Sequence, residues 1–239
     1  MKSYSNTYIF LFSAGLVIVV AAVLSFAATK LKPLQEKNIE IAKKLDILKS
    51  IYKAENIAEE TDKHSYVESQ YEQYITESYV IDVNGERKEG VDAFGVDLKV
   101  ELAKEPQERN LPIFVAEENN EKKYIIPVRG KGLWGPIWGY VALRDDYNTI
   151  FGTTFDHDAE TPGLGAAINT GGFQAQFKGK KIFEDEEFVG IRVVKGGAPP
   201  QDEHAVDAIS GGTITSKGLE DMLTDVLGNY VAYFNANKN

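Results

Sequence analysis

The sequence contains no cysteine, so disulfides, thiolate nucleophiles and cysteine-ligated iron–sulfur clusters are excluded from this chain. Histidine is scarce: His64, His157 and His204 lie far apart, and no HExxH-type spacing joins them. Each reads first as a surface or ordinarily hydrogen-bonded side chain. Lys and Arg number 26 against 36 Asp and Glu, for a formal charge of −10. With no basic patch to neutralise phosphates, nucleic acid is not an expected partner. There is also no internal repeat, no low-complexity linker, no dinucleotide fingerprint for NADH and no P-loop lysine after a glycine run. No catalytic set and no metal-ligand set is legible.

What remains is a chain of 239 residues, 43% hydrophobic and 26% charged, a balance that suits a globular core. One stretch stands apart. Tyr8 to Ala28 runs 21 residues without a charge, and at about 1.5 Å per residue it spans roughly 30 Å, the thickness of a bilayer core. Ser25-Phe26-Ala27 resembles a signal cleavage site, but the apolar run exceeds the usual h-region of about 7–15 residues, so an uncleaved anchor is expected. Lys2 precedes the run while Lys30, Lys32 and Lys37 follow it. Charge alone would leave the large domain in the cytoplasm.

After the anchor, Ile41, Leu45, Leu48 and Tyr52 recur at helical spacing, and Val67, Tyr71 and Tyr74 suggest a second helix. Then the period changes. Ser78 to Val83 alternates as a strand and ends at the hairpin signal Asn84-Gly85; Ile113–Ala116, Lys123–Val128 and Trp138–Leu143 read as strands, the first two joined at Asn119-Asn120. Phe173–Phe177, Lys181–Phe183 and Val189–Val194 are expected as further short strands. Leu219, Met222, Leu223, Val226, Leu227, Tyr230 and Phe234 share one face of a closing helix. The fold class is α+β: an N-terminal transmembrane helix, then a largely antiparallel sheet flanked by helices. The expected organisation is a short cytoplasmic tail (1–7), the transmembrane helix (8–28), a juxtamembrane helical segment (29–75) and the α+β domain (76–239).

Three glycine-bearing stretches are candidates for chemistry. In Gly130-Lys131-Gly132-Leu133-Trp134-Gly135-Pro136-Ile137-Trp138-Gly139-Tyr140 the glycines either make a hairpin whose aromatics fill the core, or let the backbone approach a flat ligand on which Trp134 packs. Glu160-Thr161-Pro162-Gly163-Leu164-Gly165 carries a type II turn signal and presents a carboxylate, a hydroxyl and amides. Asp207 to Gly218, reading DAISGGTITSKG, opens the closing helix. Thr215 or Ser216 would cap that helix. Capping requires one hydroxyl, however, and Ser210, Thr213, Thr215 and Ser216 offer four at a helix end suited to a phosphate.

Asp207-Ala208-Ile209-Ser210-Gly211-Gly212-Thr213 resembles the D-x-x-S-G-A-T signature at which a flavin transferase esterifies FMN phosphate to threonine, with Gly212 where the family has alanine. The anchor, the GLWGPIWGY stretch, ETPGLG, VVKGGAP and the terminal helix occur in the order seen in the C subunits of Na+-translocating NADH:quinone oxidoreductases. The resemblance covers essentially the whole chain. It implies an FMN-binding domain at 76–239 with FMN covalently attached to Thr213, in an electron-carrier subunit relaying electrons from NADH towards quinone. Ser210, Gly211, Gly212 and Thr215 would surround the phosphate. Leu133 and Trp134 would pack near the ring, Glu160, Thr161, Gly163 and Leu164 would face it, and Lys195 would supply a positive charge. Implied partners are the other subunits of the complex, the flavin transferase and the lipid bilayer. The implied location is the bacterial inner membrane, single-pass, with the main domain periplasmic, against the lysine count. The flavin subunit of ferredoxin:NAD+ oxidoreductase complexes shares the attachment site and ETPGLG; the GLW stretch favours the Na+-pump reading. A membrane-anchored binding module without redox function, in which SGGT only opens a helix, is the alternative from another class.

Overall fold

The computed structural model describes residues 5–238. The chain divides into two compact units, Met1–Lys43 and Lys44–Asn239. Helix α1 (Asn6–Ser50) runs 45 residues with Pro33 inside it. Its N-terminal part, within the first unit, is long and apolar enough to cross a membrane, and Phe10, Leu16, Val20 and Phe26 on it are exposed.

The anchor and the juxtamembrane helix are one helix rather than two, and it stops at Ser50. Tyr52, expected on it, instead takes a left-handed φ of 60°, which ends the helical path. In the second unit, a short 3-10 turn (Glu55–Ala58) leads to α2 (Lys63–Tyr74), capped by the Asp62 carboxylate on Ser65 N at 3.1 Å.

A six-stranded antiparallel sheet forms the centre of this unit, in the order β2-β1-β3-β4-β5-β6. Strands β1 (Ile75–Ile81) and β2 (Arg87–Lys88) flank the Asn84-Gly85 turn, where the Asp82 carboxylate accepts from Asn84 N and Glu86 N. Short helix α3 (Leu98–Glu101) precedes β3 (Leu111–Glu118). Strand β4 (Glu121–Lys131) returns through Asn119 and Asn120, both at positive φ as a tight two-residue hairpin demands. Strands β5 (Pro136–Leu143) and β6 (Ile150–His157) complete the sheet. Both faces are buried, Ile113, Ile126, Val141 and Phe155 against the C-terminal helices, and Phe114 and Tyr140 on the other side with Phe94.

Phe173–Phe177, expected as a strand, is helical: α4 (Gly171–Gln174) runs into a 3-10 turn (Ala175–Phe177). The Thr170 hydroxyl accepts from Phe173 N, and the spacing of four puts Phe173 and Phe177 together in the core, their rings 5.6 Å apart. The remaining strands are shorter than expected. Lys181 makes only an isolated bridge to Thr149; β7 (Phe183–Glu184) pairs with β8 (Glu187–Phe188), and β9 (Arg192–Val194) lies parallel to β10 (Ala205–Asp207). Strand β6 was not anticipated. Finally α5 (Thr213–Gly228) and α6 (Val231–Asn237) replace the single closing helix, interrupted at Asn229-Tyr230. All seven of its expected apolar positions are buried, each contributing about 1.5–3 kcal/mol relative to exposure.

Candidate flavin site

Three separated stretches meet where β4 turns into β5. The β4–β5 turn is closed by Gly132 N donating to Gly135 O at 2.8 Å, with Leu133 and Trp134 at its tip. Glycine is required here by proximity. A Cβ on Gly130 would lie 2.6 Å from Met222 Cβ of α5, and one on Gly132 would collide with the Glu160 carboxylate. The core-filling reading fails for Trp134, which is 64% exposed.

The second stretch follows β6. Leu164 N donates to Thr161 O at 3.1 Å with Gly163 at φ 76°, the geometry that a type II turn with Pro162 in its second position requires. Glu160 does not project outward with this turn. Its carboxylate is buried, one oxygen accepting from Trp134 N at 2.9 Å and the other from Thr215 Oγ1 at 2.5 Å. Burial alone would raise its pKa, but the hydrogen bonds from Thr215 and from the Trp134 and Gly135 amides outweigh it and hold the carboxyl below its ordinary value. One carboxylate thus ties the GLW turn, the ETPGLG loop and the start of α5 together. Gly165 has no room for a side chain because a Cβ there would run into Glu160 and Thr215.

The third stretch opens α5. The expected caps are not caps: Gly212 holds the N-cap position and no side chain caps the helix. Thr215, 1% exposed, gives its hydroxyl proton to Glu160, and Ser216 Oγ accepts from Ile209 N at 3.0 Å. Both threonine and serine are spent on packing the turn. Gly211 is left-handed at φ 75°, where a Cβ would approach Leu164 Cδ2 to 2.6 Å. A Cβ on Gly212 would sit 2.9 Å from Ile209 Cγ2, so the Ile209 side chain fills the space beside this glycine. Thr213, the first helical residue, is exposed.

Around Thr213 are apolar side chains that the fold leaves uncovered: Leu133 (45% exposed), Trp134, Leu164 (42%) and Ile214 (59%). Among described residues of the second unit, only Val91 and Val100 are other large exposed hydrophobics. Ser210, Thr161 and Gly163 are exposed at the same loops. Lys195 is exposed just after β9, in a turn joined to the third stretch by Ala208 N on Val194 O and Ala198 N on the Asp207 carboxylate. Ile214 was absent from the expected set. Its signal was its phase, since an isoleucine lies on the face of α5 opposite Leu219, Met222 and Val226. His157, expected as an ordinarily hydrogen-bonded or surface side chain, lies beside the site with its Nδ1 accepting from Glu160 N at 3.3 Å.

An uncapped helix start offers free N–H groups and the positive end of a dipole, with a hydroxyl on its first residue. Beside it lies uncovered apolar and aromatic surface. A molecule with an anionic phosphate at one end and a flat, largely apolar body fits both, and FMN has that form. No cluster of metal-binding side chains occurs among the described residues.

Sequence comparison agrees. A model of the FMN-binding domain matches residues 132–228, the interval that holds every candidate residue named above from Leu133 to Thr215. Fold and site together define an FMN-binding flavoprotein domain. The C subunit of the Na(+)-translocating NADH-quinone reductase of Vibrio vulnificus (strain YJ016) is 34% identical over 230 residues, covering 90% of this chain and 88% of that one. Its counterpart from Vibrio anguillarum is 43% identical over 117 residues, or 48% of this chain and 46% of that one. The crystal structure of the counterpart from Parabacteroides distasonis ATCC 8503 superposes with a TM-score of 0.76 at 42% identity, covering 85% of this chain and 96% of that one. The chain belongs to the family of C subunits of the Na(+)-translocating NADH-quinone reductase.

Proposed function

We propose that this chain is a membrane-anchored electron carrier whose FMN is joined through its phosphate to Oγ1 of Thr213. The observation that carries this reading is the contrast between two threonines. Thr213 is exposed on an uncapped helix start, whereas Thr215 is buried with its proton committed to Glu160. When bound, FMN supplies reversible one- and two-electron transfer; the chain binds and orients it. The first N–H groups of α5 and its positive end hold the phosphate, with Ser210, Gly211 and Gly212 shaping the turn. Leu133, Trp134, Leu164 and Ile214 give the ring an apolar bed, Thr161 and Gly163 line its polar edge, and Lys195 adds positive charge nearby. Tethering keeps the local flavin concentration on the order of millimolar or higher, whatever the free pool outside.

Within an oxidoreductase complex the chain would relay electrons arriving from NADH towards quinone, the chemistry at either end belonging to partner subunits. A flavin transferase would install the FMN, and the apolar part of α1 would anchor the chain in the inner membrane with the sheet domain on the periplasmic side. Two experiments test this. Protein made with a flavin transferase should retain its flavin through acid precipitation; flavin entirely in the supernatant, with a control substrate loaded by the same enzyme, would contradict the covalent link. For orientation, Gln107→Cys puts one exposed thiol into a cysteine-free chain. An impermeant reagent should label it once the outer membrane is opened, and labelling only after the inner membrane is broken would reverse the topology.

A further inference from the structure

His157 ends β6 opposite Ile137 of β5, three residues before Glu160. Its two ring nitrogens differ. Nδ1 accepts from Glu160 N at 3.3 Å, which assigns the proton to Nε2. Nε2 is buried and has no hydrogen-bond partner among the described residues. A buried donor without an acceptor works against stability, so an apolar residue would serve the fold at least as well here. The imidazole costs the fold an unpaired donor, and the one hydrogen bond its ring makes among the described residues is at the Nδ1 acceptor.

That acceptor holds the backbone of Glu160, whose carboxylate in turn holds Trp134 N and Thr215 Oγ1. A carboxylate shared by three segments transmits any displacement of its own backbone to all of them, and the glycines packed on it leave no slack. A Cβ on Gly132 or Gly165 would collide with a Glu160 carboxylate oxygen, so neither position has room for a side chain.

We propose that His157 is a positioning residue of the flavin site, its Nδ1 setting the placement of Glu160 and thereby of the Trp134 turn and the first turn of α5. The proposal rests on the flavin reading only for its purpose; the relay itself is a property of the protein without flavin. His157 does not touch the ligand in this account.

The test uses the full chain in detergent, labelled with 15N-tryptophan. The sequence has two tryptophans, so two backbone amide signals appear, and Trp134→Phe assigns them. His157→Asn places a carbonyl oxygen near the former Nδ1, whereas His157→Gln carries its amide out towards the former Nε2 and His157→Leu supplies neither. In flavin-free protein the Trp134 amide should stay in place in the Asn variant and shift upfield in the Gln and Leu variants, with the Trp138 amide unmoved in all. With flavin loaded, visible circular dichroism of the FMN should follow the same order. Equal shifts in the Asn and Leu variants would mean that the ring acts by shape alone, and no shift in any would mean that no relay exists; either overturns the proposal. Should the Leu variant not fold, Gln against Asn decides. Wild-type protein that takes no flavin would sink the flavin reading while leaving the amide result to stand separately.

Discussion

The two ends of α5 treat aromatic and aliphatic side chains in opposite ways. Its 16 residues reach about 24 Å at about 1.5 Å per residue, from an N-terminal half beside the β4–β5 turn, where a Cβ on Gly218 would meet Lys131 O, to a last residue that leads into Tyr230 and α6. At the far end, Tyr147 from the β5–β6 turn meets Tyr124, Tyr233 and Phe234 with ring centroids 4.3, 5.8 and 6.2 Å away, and the Tyr79 and Tyr233 hydroxyls are hydrogen-bonded. Burial, with the Tyr233 contact, raises the Tyr79 pKa above the usual phenol value. Tyr230 reaches Pro112 O at 3.1 Å. Tyr79, Tyr147, Tyr230, Tyr233 and Phe234 are buried and Tyr124 is half-buried against them. At the near end Trp134, Leu164 and Ile214 stand in the open around Thr213. One end is closed by the fold's own side chains; the other is left open, and there the proposed flavin would lie.

If that contrast is real, the largest stability loss comes from the closed end. Phe234→Ala should cost about 3–5 kcal/mol, and at roughly 2–4 °C per kcal/mol for a domain of this size the melting temperature should fall by about 10 °C, read by circular dichroism. A fall of only a degree or two would mean the aromatic cluster is not the stabilising end.

Glu160 comes next, because its carboxylate holds both the Trp134 turn and the first turn of α5. Its folded pKa is depressed, so its contribution is present above the ordinary carboxylate value, about 4.3, and is lost as pH falls through the folded value. Acid titration followed by Trp134 fluorescence in a Trp138→Phe background should therefore change below that ordinary value and not between pH 5 and 8. Glu160→Ala should give the altered signal already at neutral pH.

The smallest stability effect, and the sharpest functional one, belongs to Trp134→Ala. An exposed side chain away from the core should change stability within about 0.5 kcal/mol, while the visible circular dichroism of loaded flavin should drop. Loss of stability with unchanged flavin dichroism would reverse the roles of the two ends.

Much of this was legible in the sequence for a physical reason: period and turn chemistry are local. Alternation gave β1, β3, β4 and β5, Asn119-Asn120 and Asn84-Gly85 gave their hairpins, and the apolar stripe from Leu219 to Phe234 gave the packing of the last helices. Strand β6 was hidden because Gly152, Thr153 and Thr154 interrupt the apolar alternation of Phe151 to Phe155, and Gly152 is there because Ser50 and Tyr52 press against it. Phe173–Phe177 misled because apolar residues four apart suit a helix turn as well as a short strand, and the Thr170 cap decided between them. At the site, the glycines and hydroxyls announced themselves, but their division of labour did not. Which hydroxyl packs and which stays free depends on Glu160, 55 residues from Thr215 in sequence. No spacing rule connects the two.

The central claim is that Thr213 is the free hydroxyl and Thr215 the structural one. Trypsin should release residues 196–217 as one peptide, since no Lys or Arg lies between Lys195 and Lys217. Fragmentation mass spectrometry of that peptide, from protein made with a flavin transferase, should place the FMN mass on Thr213 with Thr215 bare, and Thr213→Ala should remove it. FMN found on Thr215, or retained in Thr213→Ala, would contradict the account.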